Sequence, residues 1–123
     1  MRIKKFSLVS VNKINSFNKS IKVDSDKSIS IRCFLIGAIS ERVSKAHNVL
    51  ESEDVFSTIN CLKTLGVKIK KNKPGSYSIY GKGLGSFFAK KNLSLNLGNS
   101  GTLARLLIGI LSSTPNIEIK LKG

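Results

Sequence analysis

The sequence predicts an α/β fold, and two observations carry this prediction. Short segments of alternating polar and apolar residues, typical of strands, are interspersed with longer, mostly apolar segments of helical length. The longer segments follow connectors rich in Asp, Ser, Asn and Gly, which are residues that begin helices. The predicted order, β-β-α-β-α-β-β-β-α-β, indicates that at least some strands pair in parallel. At 123 residues, the chain has the length of one domain.

The first third of the chain is predicted to hold two strands and one helix. Residues 5–11 and 20–23 show the alternation of strands, and residues 12–18 separate them as a polar turn. The connector of residues 24–28 then offers Asp and Ser as helix N-caps. A mostly apolar helix over residues 29–39 follows.

The next segment is predicted to be a strand followed by a helix. The strand covers residues 45–50 and contains His47, which has no partner at metal-ligand spacing and is interpreted as structural. Ser52 is a natural N-cap for the helix, and Gly66 ends it. Asp54 lies in the acidic first turn, where a carboxylate suits the positive end of the helix dipole. Asp54 is therefore interpreted as a capping charge and not as a catalytic acid.

The rest of the chain begins with a hairpin whose arms are residues 67–70 and 76–80. A glycine-rich loop at residues 81–85 lacks the G-x-G-x-x-G spacing and is interpreted as a loop that needs unusual backbone geometry. Strands follow over residues 93–97 and 117–121. The pattern β-α-β-α-β-β ends with the hairpin, and a second copy begins at residue 93, so the chain holds one complete unit and part of another.

A glycine-rich turn containing Asn99, Gly101 and Thr102 precedes an apolar run at residues 106–111, which is predicted to be a buried helix. The unpaired N–H groups and the dipole of a helix N-terminus favour a bound phosphate or carboxylate. Arg105 would lie close to the first turn and add a charged fork to such an anion. A simple helix cap explains the same residues, so the sequence leaves both interpretations open.

A second basic connector occupies a matching place before the first helix. Lys27 supplies a mobile positive charge, and Ser28 supplies a hydroxyl and a backbone N–H. Arg32 follows Ser28 by four residues and would project on the same side of the helix. It either meets a fixed anion or extends its head into solvent from the edge of the core. Two basic helix ends suggest a site for one or two anionic substrates.

The composition is that of a globular protein with a large excess of basic residues. Hydrophobic residues make up 41% of the chain and charged residues 23%. The formal net charge of +14 favours an anionic partner, such as a nucleic acid, a membrane surface or a phosphorylated metabolite. A genome-wide codon bias explains the charge equally well. The densest basic cluster is interpreted as a solvated strand end and loop. It consists of Lys68, Lys70, Lys71 and Lys73.

The two cysteines, Cys33 and Cys61, lie in apolar segments without metal-ligand spacing, which predicts a reduced protein with free thiols. The basic N-terminus is not followed by a long uninterrupted apolar segment. Neither a signal peptide nor a membrane-spanning helix is therefore expected. These observations predict a cytoplasmic protein that does not associate with membranes.

Four motifs occur along the chain in a recognisable order. Residues 26–32 are Asp-Lys-Ser-Ile-Ser-Ile-Arg, and residues 52–66 begin with Ser-Glu-Asp-Val and end with Leu-Gly. Residues 81–85 are Gly-Lys-Gly-Leu-Gly, and residues 97–105 are Leu-Gly-Asn-Ser-Gly-Thr-Leu-Ala-Arg. Together these motifs resemble the N-terminal portion of the 5-enolpyruvylshikimate-3-phosphate (EPSP) synthase family, at well under half of the family's usual length.

The resemblance implies a fold and an activity. The family pairs two domains built from β-α-β-α-β-β units, of which this chain would hold one complete unit and part of a second. Residues 1–19 would be the first strand and crossover, belonging to the far domain. Residues 20–123 would form part of the N-terminal substrate-binding domain. The family transfers the enolpyruvyl group of phosphoenolpyruvate to shikimate 3-phosphate in aromatic amino-acid biosynthesis.

The resemblance also implies roles for individual residues. Lys27 would contact both substrates and would be the catalytic residue, because its charge stabilises charge that develops during transfer. Ser28 and Arg32 would bind shikimate 3-phosphate. The phosphoenolpyruvate side would be formed by Lys27, Asn99, Gly101, Thr102 and Arg105. The resemblance implies no metal and no cofactor.

The chain departs from the family pattern at its first motif. Asp24-Ser25 stands where family members commonly have Pro-Gly, and Ile31 replaces a frequent His. The family's later Arg, its Ser-Ser-Gln segment, the Asp and Glu that handle protons, and the second domain have no counterpart up to Gly123. We therefore expect an N-terminal portion that is inactive alone and has the C-terminal portion of the same enzyme as its partner.

Two other functions remain as alternatives. A relative of UDP-N-acetylglucosamine enolpyruvyl transferase is disfavoured by the Ser28–Arg32 motif and by the signature at residues 98–105. A small nucleic-acid-binding module would need clustered Arg and aromatic residues on one exposed face. Phe87-Phe88 is the one adjacent aromatic pair, which disfavours the second alternative.

Overall fold

A computed structural model describes residues 7–9, 16 and 18–123 of the chain. The predicted strand over residues 5–11 and the turn over residues 12–18 fall largely outside these residues and stay predictions. The described elements are α1 Lys27–Ile39, β1 Val43–Ala46, α2 Glu53–Thr64, β2 Lys68–Lys73, β3 Ser76–Tyr80, β4 Leu93–Asn96, α3 Gly101–Leu111 and β5 Ile119–Lys122.

The described strands form two small sheets. In the first, β3 is central and pairs antiparallel with both β1 and β2. The second consists of β4 and β5, which pair in parallel, as the alternating pattern predicted. The turn between β2 and β3 contains Gly75, whose φ of 65° suits glycine. The strands alternate with helices in the predicted manner, so the α/β prediction is confirmed.

Helix α1 is central to the packing, because it contacts α2, α3, β1 and β3. Ile31, Phe34 and Leu35 are buried on it, and the rings of Phe34 and Tyr77 form a T-shaped pair with centroids 5.2 Å apart. Gly37 lets α1 approach β3 closely, since a Cβ there would lie 2.9 Å from Ile79 Cδ1. The core is formed by the three helices and both sheets, since Leu95 of β4 is also buried in it.

The predicted strand over residues 20–23 is wrong. These residues are exposed, and no described strand pairs with them. The physical reason is that these residues lack a backbone ladder: the carbonyl of Val23 accepts a hydrogen bond of 3.4 Å from the side-chain Nδ2 of Asn48, and not from a backbone N–H of a neighbouring strand. β1 covers Val43–Ala46 instead of the predicted residues 45–50, and Asn48, with a left-handed φ of 55°, turns the backbone after it. The described part of the first β-α-β-α-β-β unit therefore lacks its first strand.

The helix predicted at the apolar run of residues 106–111 is present as α3, but it is buried along one side only. The helix begins at Gly101, and it buries one stripe, formed by Leu103, Leu107 and Leu111. Ile108 is 54% exposed, so the opposite side of the helix is open. Spacing by four residues places the buried leucines on one face, which is the amphipathic pattern of a helix packed on one side.

Most other boundaries lie within a few residues of their predictions. Helix α2 follows Ser52 and ends before Gly66, whose φ of 89° fits a helix-ending glycine. β2 runs on to Lys73, and its four lysines are exposed on an edge strand, as the solvated cluster predicted. Charged side chains on an edge discourage pairing with other chains. None of the described helices is long and apolar enough to cross a membrane.

Candidate functional site at three helix N-termini

The N-terminus of α1 carries three predicted site residues. Asp26 caps the helix, because its Oδ1 accepts a hydrogen bond of 2.7 Å from the backbone N–H of Ile29. The cap makes Lys27 and Ser28 the first two residues of α1, two residues earlier than predicted. Arg32 lies one turn further on the same side. Lys27 and Arg32 are exposed and Ser28 is half-buried, so an open surface presents all three.

Lys27 makes a contact that the sequence did not reveal. Its Nζ lies 2.8 Å from Oδ2 of Asp54, in the first turn of α2. The hydrogen bond to Asp54 and the charge of Asp54 raise the pKa of Lys27, with a smaller contribution from Asp26. The ammonium group is therefore held in its charged form at neutral pH. The contact joins the N-termini of α1 and α2.

The N-terminus of α3 is built by a tight turn and a cap. Gly98 has a φ of 59°, and its N–H donates a hydrogen bond of 2.9 Å to Asn96 Oδ1. Ser100 is the N-cap, and its Oγ accepts a hydrogen bond of 3.3 Å from the N–H of Leu103. The motif therefore does cap a helix, through a residue that was not among the predicted site residues.

The predicted site residues at the N-terminus of α3 surround Ser100. Asn99 and Gly101 flank Ser100 and are exposed, while Thr102 is half-buried. Arg105, just past the first turn of α3, is also exposed. The capping role of Ser100 leaves these four residues facing an accessible helix N-terminus, which is where an anion would be stabilised.

The two connectors that precede α1 and α3 lie against one face of α2. Lys27 contacts Asp54, and a Cβ atom at Gly98 would lie 2.9 Å from Ser57 Oγ. Asp54 and Ser57 are three residues apart in α2, so their Cβ atoms are about 5–6 Å apart on the same surface. Helices α1 and α3 also contact each other. The structure thus brings together the two basic connectors that the sequence identified separately.

The start of α2 is fixed by Glu51. Its carboxylate accepts hydrogen bonds from Lys71 Nζ at 2.9 Å, from the Gly75 N–H at 2.8 Å and from the Tyr77 hydroxyl at 2.7 Å. The hydrogen bond from Lys71, followed by those from Gly75 and Tyr77, lowers the pKa of Glu51 to about 2. Burial and the same carboxylate raise the pKa of Tyr77 to about 12. This network ties the segment before α2 to the β2–β3 hairpin.

The two serines of the first motif differ in role. Ser30 is buried, and its Oγ accepts a hydrogen bond of 3.0 Å from the N–H of Leu50 while donating one of 2.7 Å to the carbonyl of Asp26. Ser30 therefore fastens α1 to the segment that precedes α2. Ser28 is on the accessible side of the helix.

Other polar residues play structural roles. Ser52 occupies the predicted N-cap position of α2, but its side chain makes no capping hydrogen bond. His47 Nδ1 lies 3.2 Å from Ser76 Oγ, which links the end of β1 to β3. Cys33 and Cys61 are free thiols, and burial raises the pKa of both. Within the described ranges, no three His, Cys, Asp or Glu side chains are grouped as metal ligands.

These features define an α/β protein with a basic, open surface at adjacent helix N-termini. A family model described as EPSP synthase (3-phosphoshikimate 1-carboxyvinyltransferase) matches residues 11–123. The chain belongs to the EPSP synthase family. The resemblance identified from the four motifs is thereby confirmed, whereas neither alternative function gains support.

Individual relatives agree with the family match. The 3-phosphoshikimate 1-carboxyvinyltransferase of Bacillus cytotoxicus is 42% identical over 108 residues, which are 88% of this chain and 25% of the relative. The protein of that name from Thermoanaerobacter pseudethanolicus is 44% identical over 104 residues, 85% of this chain and 24% of the relative. EPSP synthase from Acinetobacter baumannii is similar in structure, with a TM-score of 0.68 and 38% identity over 76% of this chain and 21% of that one. The chain spans about a quarter of the length of the curated relatives it matches.

Proposed function

We propose that this chain forms part of the substrate site of an enzyme that transfers the enolpyruvyl group of phosphoenolpyruvate to shikimate 3-phosphate. Membership in the EPSP synthase family supports this proposal. The structural observation that carries it is the position of Lys27 and Gly98 against one face of α2. Both substrates carry phosphate and carboxylate groups, which suit basic side chains at helix N-termini.

The shikimate 3-phosphate side of the proposed site is the N-terminus of α1. Ser28 offers a hydroxyl donor there, and the exposed Arg32 offers a planar fork that pairs with phosphate or carboxylate through two hydrogen bonds. Because the two side chains are one helical turn apart, they face the same ligand.

The phosphoenolpyruvate side is the N-terminus of α3, where Asn99, Gly101 and Thr102 surround the positive end of the helix and Arg105 adds a charge. Lys27 contacts both substrates in this proposal. In the proposed reaction the 5-hydroxyl of shikimate 3-phosphate loses its proton and its oxygen bonds to the enolpyruvyl carbon, while the bond from that carbon to the phosphate oxygen breaks. Inorganic phosphate leaves and takes up the proton overall, and the Lys27 ammonium stabilises the negative charge that develops on the departing phosphate.

Turnover in this proposal needs more residues than these 123, because the chain covers about a quarter of its relatives. Residues 20–123 are proposed to be part of one substrate-binding domain, with residues 1–19 belonging to the far domain. The remaining part of the enzyme is the proposed protein partner.

The test combines this chain with the part of the Bacillus cytotoxicus relative that it does not match. Alone, the chain is expected to release no phosphate from phosphoenolpyruvate. The combined chains are expected to release phosphate only when shikimate 3-phosphate is present. A Lys27→Met chain, which keeps the length of the side chain but not its charge, is the matched control and is expected to be inactive.

Two outcomes would contradict separate parts of this proposal. Rapid turnover by the 123 residues alone would contradict the need for further residues. An inactive complex that nevertheless co-elutes as an assembled pair would contradict the proposed reaction.

A further inference from the structure

The acidic first turn of α2 contains two carboxylates in different surroundings. Glu53 is exposed and takes part in neither of the two salt bridges among the described residues. Asp54 is only 16% exposed, and its Oδ2 lies 2.8 Å from Lys27 Nζ. Both residues suit the positive helix end equally well, so the helix dipole does not account for the difference. The additional feature of Asp54 is its contact with Lys27.

Asp54 is the fixed member of this ion pair. Its side chain is short and mostly covered, whereas half of the Lys27 side chain is exposed. The helix that carries Asp54 is held at its start by the three hydrogen bonds to Glu51. A free lysine has four rotatable side-chain bonds and loses considerable entropy when it is ordered. A fixed carboxylate therefore determines where the Lys27 ammonium group rests before any ligand arrives.

The contact leaves the ammonium group able to bind a ligand. A lysine ammonium has three N–H donors, and the contact with Asp54 uses one of them. The other two remain for anionic groups at the open surface of the α1 N-terminus. We propose that Asp54 is a positioning residue, which holds the Lys27 ammonium group at the place where it meets the anionic groups of shikimate 3-phosphate; this rests on the proposed function.

A positioning role for Asp54 and simple electrostatics predict opposite changes in the affinity for shikimate 3-phosphate when the charge of Asp54 is removed. Removing a negative charge beside an anion site strengthens anion binding by Coulomb's law. Removing a positioning contact weakens binding, because the lysine must then be ordered by the ligand itself. These two effects of Asp54→Asn have opposite signs, so the measured affinity for shikimate 3-phosphate shows which of them is larger.

The experiment uses the full 123-residue chain, titrated with shikimate 3-phosphate by calorimetry. Asp54→Asn keeps the size of the side chain and is expected to bind about tenfold more weakly, the loss typical of a charged hydrogen bond. Asp54→Glu restores the charge and is expected to recover most of the affinity. Glu53→Gln removes the neighbouring acid of the same helix turn and is expected to bind as tightly as the unmutated chain or more tightly, as Coulomb's law predicts for a lost negative charge.

A second measurement needs no substrate. In chains with 13C-labelled lysine, NMR titration is expected to show a lower pKa for Lys27 in Asp54→Asn and an unchanged one in Glu53→Gln. If Asp54→Asn does not fold, NMR relaxation of the lysine side chains in the unmutated chain tests the proposal instead. Slower motion of the Lys27 side chain than of the exposed Lys120 supports the proposal, and equal motion overturns it.

The outcomes separate the two proposals. Binding by Asp54→Asn as tight as, or tighter than, that of the unmutated chain overturns the positioning role and leaves the proposed function standing. Failure of the unmutated chain to bind shikimate 3-phosphate contradicts its proposed role in substrate binding, and the positioning role falls with it.

Discussion

The hydroxyl of Tyr77 in β3 donates a hydrogen bond of 2.7 Å to Oε1 of Glu51, the second residue before α2. The same oxygen accepts the N–H of Gly75, and Lys71 binds the other carboxylate oxygen. One carboxylate thus joins the hairpin to the helix whose residues Asp54 and Ser57 lie next to Lys27 and Gly98. The network supports the candidate site without being part of it.

Glu51 is expected to make the stability of the fold depend on acid. Its pKa is lowered from 4.5 to about 2 in the folded chain. A carboxylate with a lowered folded pKa contributes stability that is fully present above pH 4.5 and is lost as the pH falls towards about 2. In Glu51→Gln this part of the pH dependence should be absent, and the free energy of unfolding at neutral pH should be lower.

Urea denaturation at a series of pH values checks this prediction. Glu118→Gln is the matched control, because Glu118 is exposed and in neither of the salt bridges among the described residues. A Glu51→Gln curve that parallels the unmutated one between pH 4.5 and about 2 would contradict the role of the network.

The two serines of the first motif are expected to separate stability from binding. Ser30→Ala leaves the N–H of Leu50 without its partner and should lower the free energy of unfolding by about 1–3 kcal/mol. Ser28→Ala should leave the unfolding curve unchanged and weaken binding of shikimate 3-phosphate. Thermal unfolding followed by circular dichroism, together with calorimetry, measures both. Equal destabilisation by the two substitutions would show that they do not have different roles.

Any side chain at Gly98 is expected to destabilise the fold. A φ of 59° costs about 1–2 kcal/mol for alanine, and the added Cβ would also lie 2.9 Å from Ser57 Oγ. Gly98→Ala should therefore be more destabilised than the double variant Gly98→Ala/Ser57→Ala, in which the close contact is absent.

A control lies in α3, where a Cβ at Gly109 meets nothing within 4 Å. Gly109→Ala should stabilise the chain by about 0.5–1 kcal/mol through helix propensity. Denaturation midpoints of the four chains measure the effects, and identical midpoints for the single and double Gly98 variants would argue against the close approach.

Local signals in the sequence predict much of the fold. The N-cap at Ser52, the helix-ending Gly66 and the alternation around Ile79 all depend on neighbours within a few residues, and the structure has an element at each. Residues 20–23 alternate in the same way but form no strand, because strand formation needs a partner strand, and none of the described strands pairs with them.

The candidate site, like the fold, could be predicted only in part from the sequence. The site residues at the N-termini of α1 and α3 could be predicted from motif and composition, because each lies close to the start of a helix. The contact of Lys27 with Asp54 could not, since these residues are far apart in sequence and meet only because α1 and α2 pack together. Nor does the sequence separate Ser28 from Ser30, because burial is decided by the direction of each side chain on a helix whose surroundings are apolar.

If the N-termini of α1 and α3 form one site for anionic substrates, ligand binding must perturb both of them. The most direct measurement is an NMR titration of the 15N-labelled chain with shikimate 3-phosphate and then phosphoenolpyruvate. The largest shifts of backbone amides are expected at Lys27 and Ser28 with the first ligand and at Gly101 and Thr102 with the second. Shifts confined to the lysine-rich edge strand Lys68–Lys73, or no shifts at either helix N-terminus, would contradict such a site.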